Sequence, residues 1–277
     1  MNIIEIEGDH EFIVVVPTKN IQSERAQNFI SEIKSKSYFN PPIIMVESSG
    51  PEFHFSKNMN KGIKQAMKYN PKYIALSNDD VYPLEKGADY ILIRRIIKYG
   101  LAYISPIFVD RAGRKKVPVI GMPNYYAILS LTTFYPLIPH FAFPLLQKIN
   151  TFFVSNKNMR NRDDNLYGII NTQPFSIFDA NILNHIGGFD EDFKNGCEDL
   201  ELSMRIQSFG YKAGLDYSVE FLDIGSATIG EGGFSILYRK QKAKKEQVNN
   251  WRTLIRKYKK KYQKYASSNH VEIFLKP

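Results

Sequence analysis

The chain holds one cysteine, Cys197, among 277 residues. That excludes an internal disulfide framework and any zinc site built on cysteine, and it fits a reducing compartment. The first ten residues lack the basic start of a secretory leader and carry Glu5, Glu7 and Asp9 instead. No signal peptide is expected, and a cytoplasmic location follows. From Tyr125 to Leu146 the only group that can charge near neutrality is His140. The length suits a membrane span, but Pro136, Pro139 and Pro144 would break a helix there. This stretch reads as ordinary core, or as an apolar excursion packed on the domain, a second subunit or a membrane surface. Positive charge is plentiful: 37 Lys and Arg against 28 Asp and Glu leave a formal net charge of +9. Such a balance favours phosphates, nucleic acid or anionic lipid as partners. A hydrophobic fraction of 43% is enough for a packed core. The length allows one large α/β domain, alone or with an appendage.

Strands and helices alternate through the first part of the chain. Phe12-Ile13-Val14-Val15-Val16 is a β-branched run without alternation, the pattern of a strand buried on both faces. Helical spacing follows over Ser23–Ser35, then a second buried strand over Pro42–Val46 and a helix over Asn58–Tyr69. Tyr73-Ile74-Ala75-Leu76 is a third strand, ending in Ser77-Asn78-Asp79-Asp80. In open sheets built from βαβ units, ligands sit beyond the carboxyl ends of the strands. Pro17-Thr18, Glu47 and Asp79-Asp80 stand just past three such ends and should converge on one crevice. Adjacent carboxylates repel unless a cation lies near, and hard oxygen donors suit Mg²⁺ or Mn²⁺. The bland alternative is that the acids cap the turn before Pro83.

Beyond this, Ala88–Tyr99 reads as a helix and Leu101–Ile107 as a strand, whereas Asp110–Gln173 is irregular. Pro174–Asp179 is apolar with a terminal acid, and Ile182–Ile186 reads as a short helix before the Gly187-Gly188 turn. A helix beginning at Glu198-Asp199 places two acids in its first turn. They are ordinary helix-start acids, or Asp199 is held ionised there as a proton acceptor. Ala213–Leu222 reads as a strand, and the glycines at 230, 232 and 233 as a mobile flap. Tyr238–Tyr265 is strongly basic and helical, either a solvated face or a binder of anionic membrane or another polyanion.

Several blocks, in order and spacing, resemble the family 2 glycosyltransferases. Val14–Asn20 is similar to their first strand and P-T-x-N turn, and Asn60-Lys61-Gly62-Ile63 with Ala66 to their N-x-G-I-x-x-A helix. Leu76–Val81 is similar to their metal-binding DxD-type motif, and Gly187–Glu191 to their GGFDE block. Glu198–Leu202 with Arg205 and Gly210-Tyr211 resembles their ED-x-D-L…R…GY block. Asn249-Asn250-Trp251 and the basic stretch after it resemble their C-terminal segment. The resemblance implies an α/β GT-A (Rossmann-like) fold, with a mostly parallel sheet flanked by helices. The domain spans 1–236, with a variable apolar insert at about 111–173, and a basic helical extension spans 237–277. It implies inverting, metal-dependent transfer of a sugar from a nucleotide-diphosphate donor to a saccharide or lipid-linked acceptor. Pro17, Thr18, Asn20, Glu47, Lys61, Asn78 and Asp79 would bind the nucleotide sugar. Asp80 and Asp223 would hold Mn²⁺ or Mg²⁺, Asp199 or else Glu198 would be the base, and Asp179, Gly188 and Asp190 would face the acceptor. Three positions depart from the family pattern: Glu47 is one methylene longer than the usual acid, Asn78 replaces the first acid of DxD, and Asp223 replaces a histidine. The apolar insert and the basic end make the inner face of the membrane an expected peripheral partner; nucleic acid is not expected. Two rivals carry other chemistry: a glycoside hydrolase, which also needs two carboxylates, and a non-catalytic nucleotide- or membrane-binding protein with a degenerate site.

Overall fold

The computed structural model describes residues 1–50, 53–116, 166–168, 174–194, 196–224, 249–254 and 256–258. The expectations for 125–146 and the 230–233 glycines lie outside these residues, as does most of the basic 238–265 stretch. Among the described residues, no helix is long and apolar enough to cross a membrane.

The element order is β1 (Asn2–Ile6), β2 (Phe12–Thr18), α1 (Glu24–Lys36), β3 (Ile43–Glu47), α2 (Phe55–Ala66), β4 (Tyr73–Ser77), β5 (Val81–Pro83) and α3 (Ala88–Tyr99). There follow β6 (Leu101–Val109), β7 (Lys115–Lys116), β8 (Leu166–Gly168), β9 (Phe175–Asp179), α4 (Ala180–Ile186), α5 (Glu198–Ser208) and β10 (Lys212–Asp223). Every residue of β2 is buried, as its unalternated β-branched run predicts. Its side chains alternate between two cores. Phe12, Val14 and Val16 share one core with residues of α1 and α3; Ile13 and Val15 share the other with residues of α2, α4 and α5. Helices therefore cover both faces of the sheet. Phe29 of α1 is fully buried, which is worth about 1.5–3 kcal/mol for a side chain of this kind. Gly62 lets α2 lie close on β2: a Cβ there would come within 2.3 Å of Val15 Cγ1.

The sheet runs β1-β3-β2-β4-β9-β6-β10-β5, with β7 on β6 and β8 on β10. It is mixed, which corrects the mostly parallel sheet expected from the sequence. Only β2–β3, β2–β4 and β6–β10 pair in parallel among the described strands. The antiparallel pairs come from β9 between β4 and β6, from β1 at one edge and β5 at the other, and from the short β7 and β8. Consecutive connections from β2 to β3 and from β3 to β4 land on opposite sides of β2. That reversal is the topological switch point at which open α/β sheets bind ligands.

Candidate active site

A crevice opens at the switch point, beyond the carboxyl ends of β2 and β4. Pro17, Thr18, Asn78, Asp79, Asp80, Glu198 and Asp199 all line it, so it gathers residues from both halves of the sequence. Apolar walls come from Phe53, Phe55, Met59, Phe178 and Phe189, with Phe55 and Phe189 edge to face at 5.8 Å.

Asp79 is buried and held on two sides. Thr18 Oγ1 donates to its Oδ2 at 2.9 Å, and Arg25 lies with Nε 3.1 Å from Oδ1 and a terminal nitrogen 3.2 Å from Oδ2. Asp80 is buried beside it with a different surrounding. The backbone N–H of Ile224 donates to the Asp80 carbonyl at 3.1 Å, and Asp223 pairs with Val81 in the β10–β5 ladder. Burial raises the Asp80 pKa above its ordinary value, and the charges of Asp79 and Asp223 raise it further. Crowded carboxylates of this kind favour a cation or a proton among them.

Glu198 and Asp199 reach the crevice from the first turn of α5. The residue before them, Cys197, takes a left-handed backbone with φ 68°, which for a residue other than glycine costs about 1–2 kcal/mol. Burial, then Glu198 and Asp199, push its thiol well up, which disfavours the thiolate. Beneath the turn, the Tyr103 hydroxyl donates to Ser203 Oγ at 3.2 Å, and Ser203 donates to the Asp199 carbonyl at 2.7 Å.

The glycine turn is clamped from two directions. Asn60 accepts from the Phe189 N–H at 2.7 Å and donates to the Phe189 carbonyl at 2.9 Å. Arg205 donates to the carbonyls of Ile186 and Gly188 at 2.7 and 2.6 Å, while its other donors grip the fully buried Glu201. The Tyr258 hydroxyl donates to the same carboxylate at 2.6 Å, and Lys257 bridges Asp190, at 2.7 Å, and Asp192. The described part of the basic C-terminal stretch thus packs on α5, with Leu254 buried.

Other predicted site residues stand apart from the crevice walls. Glu47 Oε2 accepts from the Ile21 N–H at 3.1 Å and braces the loop after β2; Asn20 accepts from the Gln22 N–H at 2.8 Å within that loop. Gly188 and Asp190 shape the turn that presents Phe189. Lys61 donates to the Met1 carbonyl, toward the β1 edge. Asp179 caps α4 through the Ile182 N–H and pairs with Tyr73, at the start of β4. Because β9 is antiparallel to β4, its terminal acid comes out at the opposite end of the sheet from Asp79.

Sequence reasoning missed Arg25 and the aromatic walls. A cation in the first turn of a helix opposes the helix dipole, and that local misfit was the available signal for Arg25.

As hosts for a cation, Asp80 and Asp223 supply hard oxygen donors, which suit Mg²⁺ or Mn²⁺ completed by phosphate and water. Asp79 is already engaged by Thr18 and Arg25. Among the described residues, no group of three or more His, Cys, Asp or Glu side chains forms a metal cage by itself.

No family model matches this chain, and no curated protein matches it. Among solved structures, it is similar to S. aureus TarS, with 14% identity and a TM-score of 0.48, over 78% of this chain and 37% of that one. TarS 1–349 gives 14% identity and a TM-score of 0.44, over 77% of this chain and 60% of that one. A197 from STIV gives 9% identity and a TM-score of 0.46, over 78% and 86%. The chain thus spans little more than a third of the length of TarS.

Proposed function

We propose that the crevice binds a nucleotide-diphosphate sugar and that the chain transfers the sugar, with inversion, to a hydroxyl of a saccharide or lipid-linked acceptor. One observation carries this reading: the β2 end, the Asn78–Asp80 turn and the Glu198–Asp199 helix start line a single crevice at the switch point. Pro17, Thr18, Asn78 and Asp79 contact the nucleotide, on a loop braced by Glu47 and Asn20. Asp80 and Asp223 would hold the divalent cation, which when bound neutralises charge developing on the departing diphosphate. Asp199 takes the proton of the acceptor hydroxyl, with Glu198 as the fallback base. The acceptor oxygen bonds to the anomeric carbon as the bond from that carbon to the diphosphate oxygen breaks. Gly188 and Asp190 shape the acceptor side. Lys61 and Asp179 have no part in this assignment.

A second reading draws on the Arg25–Asp79 pair. The protein neutralises one of its own carboxylates, as a non-catalytic nucleotide-binding site could. A thermal-shift screen of UDP, GDP, CDP and dTDP, each with and without Mn²⁺ and Mg²⁺, tests both readings. A ligand at a hundredfold its Kd stabilises the folded state by about 2.7 kcal/mol. The transferase reading expects one nucleotide to raise Tm in a metal-dependent way that Asp80→Ala abolishes. Metal-independent stabilisation retained in Asp80→Ala favours the second reading. A flat response to every nucleotide sinks both.

A further inference from the structure

The outer face of α3 breaks the usual pattern of a surface helix, which turns polar and charged residues to water. Its exposed residues are Tyr90, Ile91, Arg94, Ile97 and Lys98, so three of five are large and apolar. Ile97 is 59% exposed and Tyr90 42%. At 3.6 residues per turn, Tyr90, Arg94 and Ile97 stack along one line, with Ile91 and Lys98 beside it. Tyr38, 65% exposed, extends the patch, its ring 4.9 Å from that of Tyr90. Both charges on this face are basic. The helix's one acid, Asp89, is buried and accepts from Ser37 and from the N–H groups of Tyr38 and Phe39.

We propose that this face of α3, with Tyr38, docks on an anionic lipid bilayer. Tyrosine settles at the headgroup level, the isoleucines reach past it, and Arg94 and Lys98 extend their charges to lipid phosphates over buried stems. Charge complementarity selects this occupant. A second copy sets Arg94 and Lys98 of one chain against the same two charges of the other. Six side chains also fall short of the roughly 20–30 residues per partner of a stable protein interface. The inference is independent of the transferase reading, since it uses no residue of the crevice.

Flotation of the full chain with vesicles tests it, comparing phosphatidylcholine alone with an equal mixture of phosphatidylcholine and phosphatidylglycerol. Binding to the mixed vesicles only, weakened by salt, is expected. The double variant Tyr90→Ser/Ile97→Ser should lower vesicle partition about tenfold or more, and Arg94→Glu/Lys98→Glu should lower it too. All four side chains are exposed, so thermal melting by circular dichroism should show both variants folded. Unchanged partition in both variants assigns binding to another surface, the basic 238–265 stretch included, and overturns the proposal. Absence of flotation, or equal flotation with neutral vesicles, does the same. Self-association of the wild type that Tyr90→Ser/Ile97→Ser abolishes, without vesicle binding, gives the face to a second copy instead.

Discussion

Arg25 and Asp79, 54 residues apart in the chain, meet at the crevice with Nε 3.1 Å from Oδ1. The pair joins the start of α1 to the end of β4 and leaves Asp80 as the carboxylate crowded by like charge. Arg25→Ala strips a buried carboxylate of its cation, but Arg25 keeps 30% of its side chain exposed, so water screens part of the loss. A destabilisation of about 1–2 kcal/mol is expected, read as a lower urea midpoint. Arg25→Lys should recover only part of it, because a point charge cannot follow both carboxylate oxygens. Full recovery would show that charge alone matters.

Asp199→Asn separates binding from chemistry. On the proposed transferase reading, with Asp199 as its base, turnover should fall about a hundredfold or more, while the nucleotide-induced rise in Tm stays. Loss of that rise together with turnover would move Asp199 from proton acceptor to donor binding.

The two glycines of the turn should differ. Both have positive φ, 87° at Gly187 and 72° at Gly188. Alanine at 187 meets nothing within 4 Å and should cost about 1 kcal/mol. Alanine at 188 comes within 2.5 Å of Asn60 Oδ1, the acceptor of the Phe189 N–H, and should cost about 2–3 kcal/mol. Equal costs in denaturant unfolding would remove Asn60 as the anchor of this turn.

The Lys257 clamp has a pH signature. The hydrogen bond from Lys257, and then its charge, lower the Asp192 pKa below the ordinary 3.8. The stability this group supplies is complete above 3.8 and drains away as pH falls through the depressed value. Lys257 moves the other way: burial opposes its charge, but hydrogen bonds to Asp190 and Asp192 outweigh that and raise it above 10.5. Its share is complete below 10.5 and is lost as pH rises through the raised value. Asp192→Asn should flatten the acid side of the curve of urea midpoint against pH. An unchanged acid limb would show that the contact carries no stability in solution.

Local chemistry alone determined much of this protein. The unalternated run of β2, the apolar spacing of α1 and α3, and the glycines around the 187–188 turn encode their own conformations, because periodicity and φ preference act over neighbouring residues. The same locality made the strand-end acids Asp79 and Asp80 readable as crevice residues, since a strand buried on both faces must end at a sheet edge. Tertiary structure decided what depends on partners distant in the chain. Nothing in Pro174–Asp179 tells which way β9 runs, and its antiparallel entry carries Asp179 to the far end of the sheet. Lys61 and Arg25 are both basic residues on helices. One turns to the Met1 carbonyl and the other into the crevice, because helix packing against the sheet, not residue type, sets which way a side chain faces.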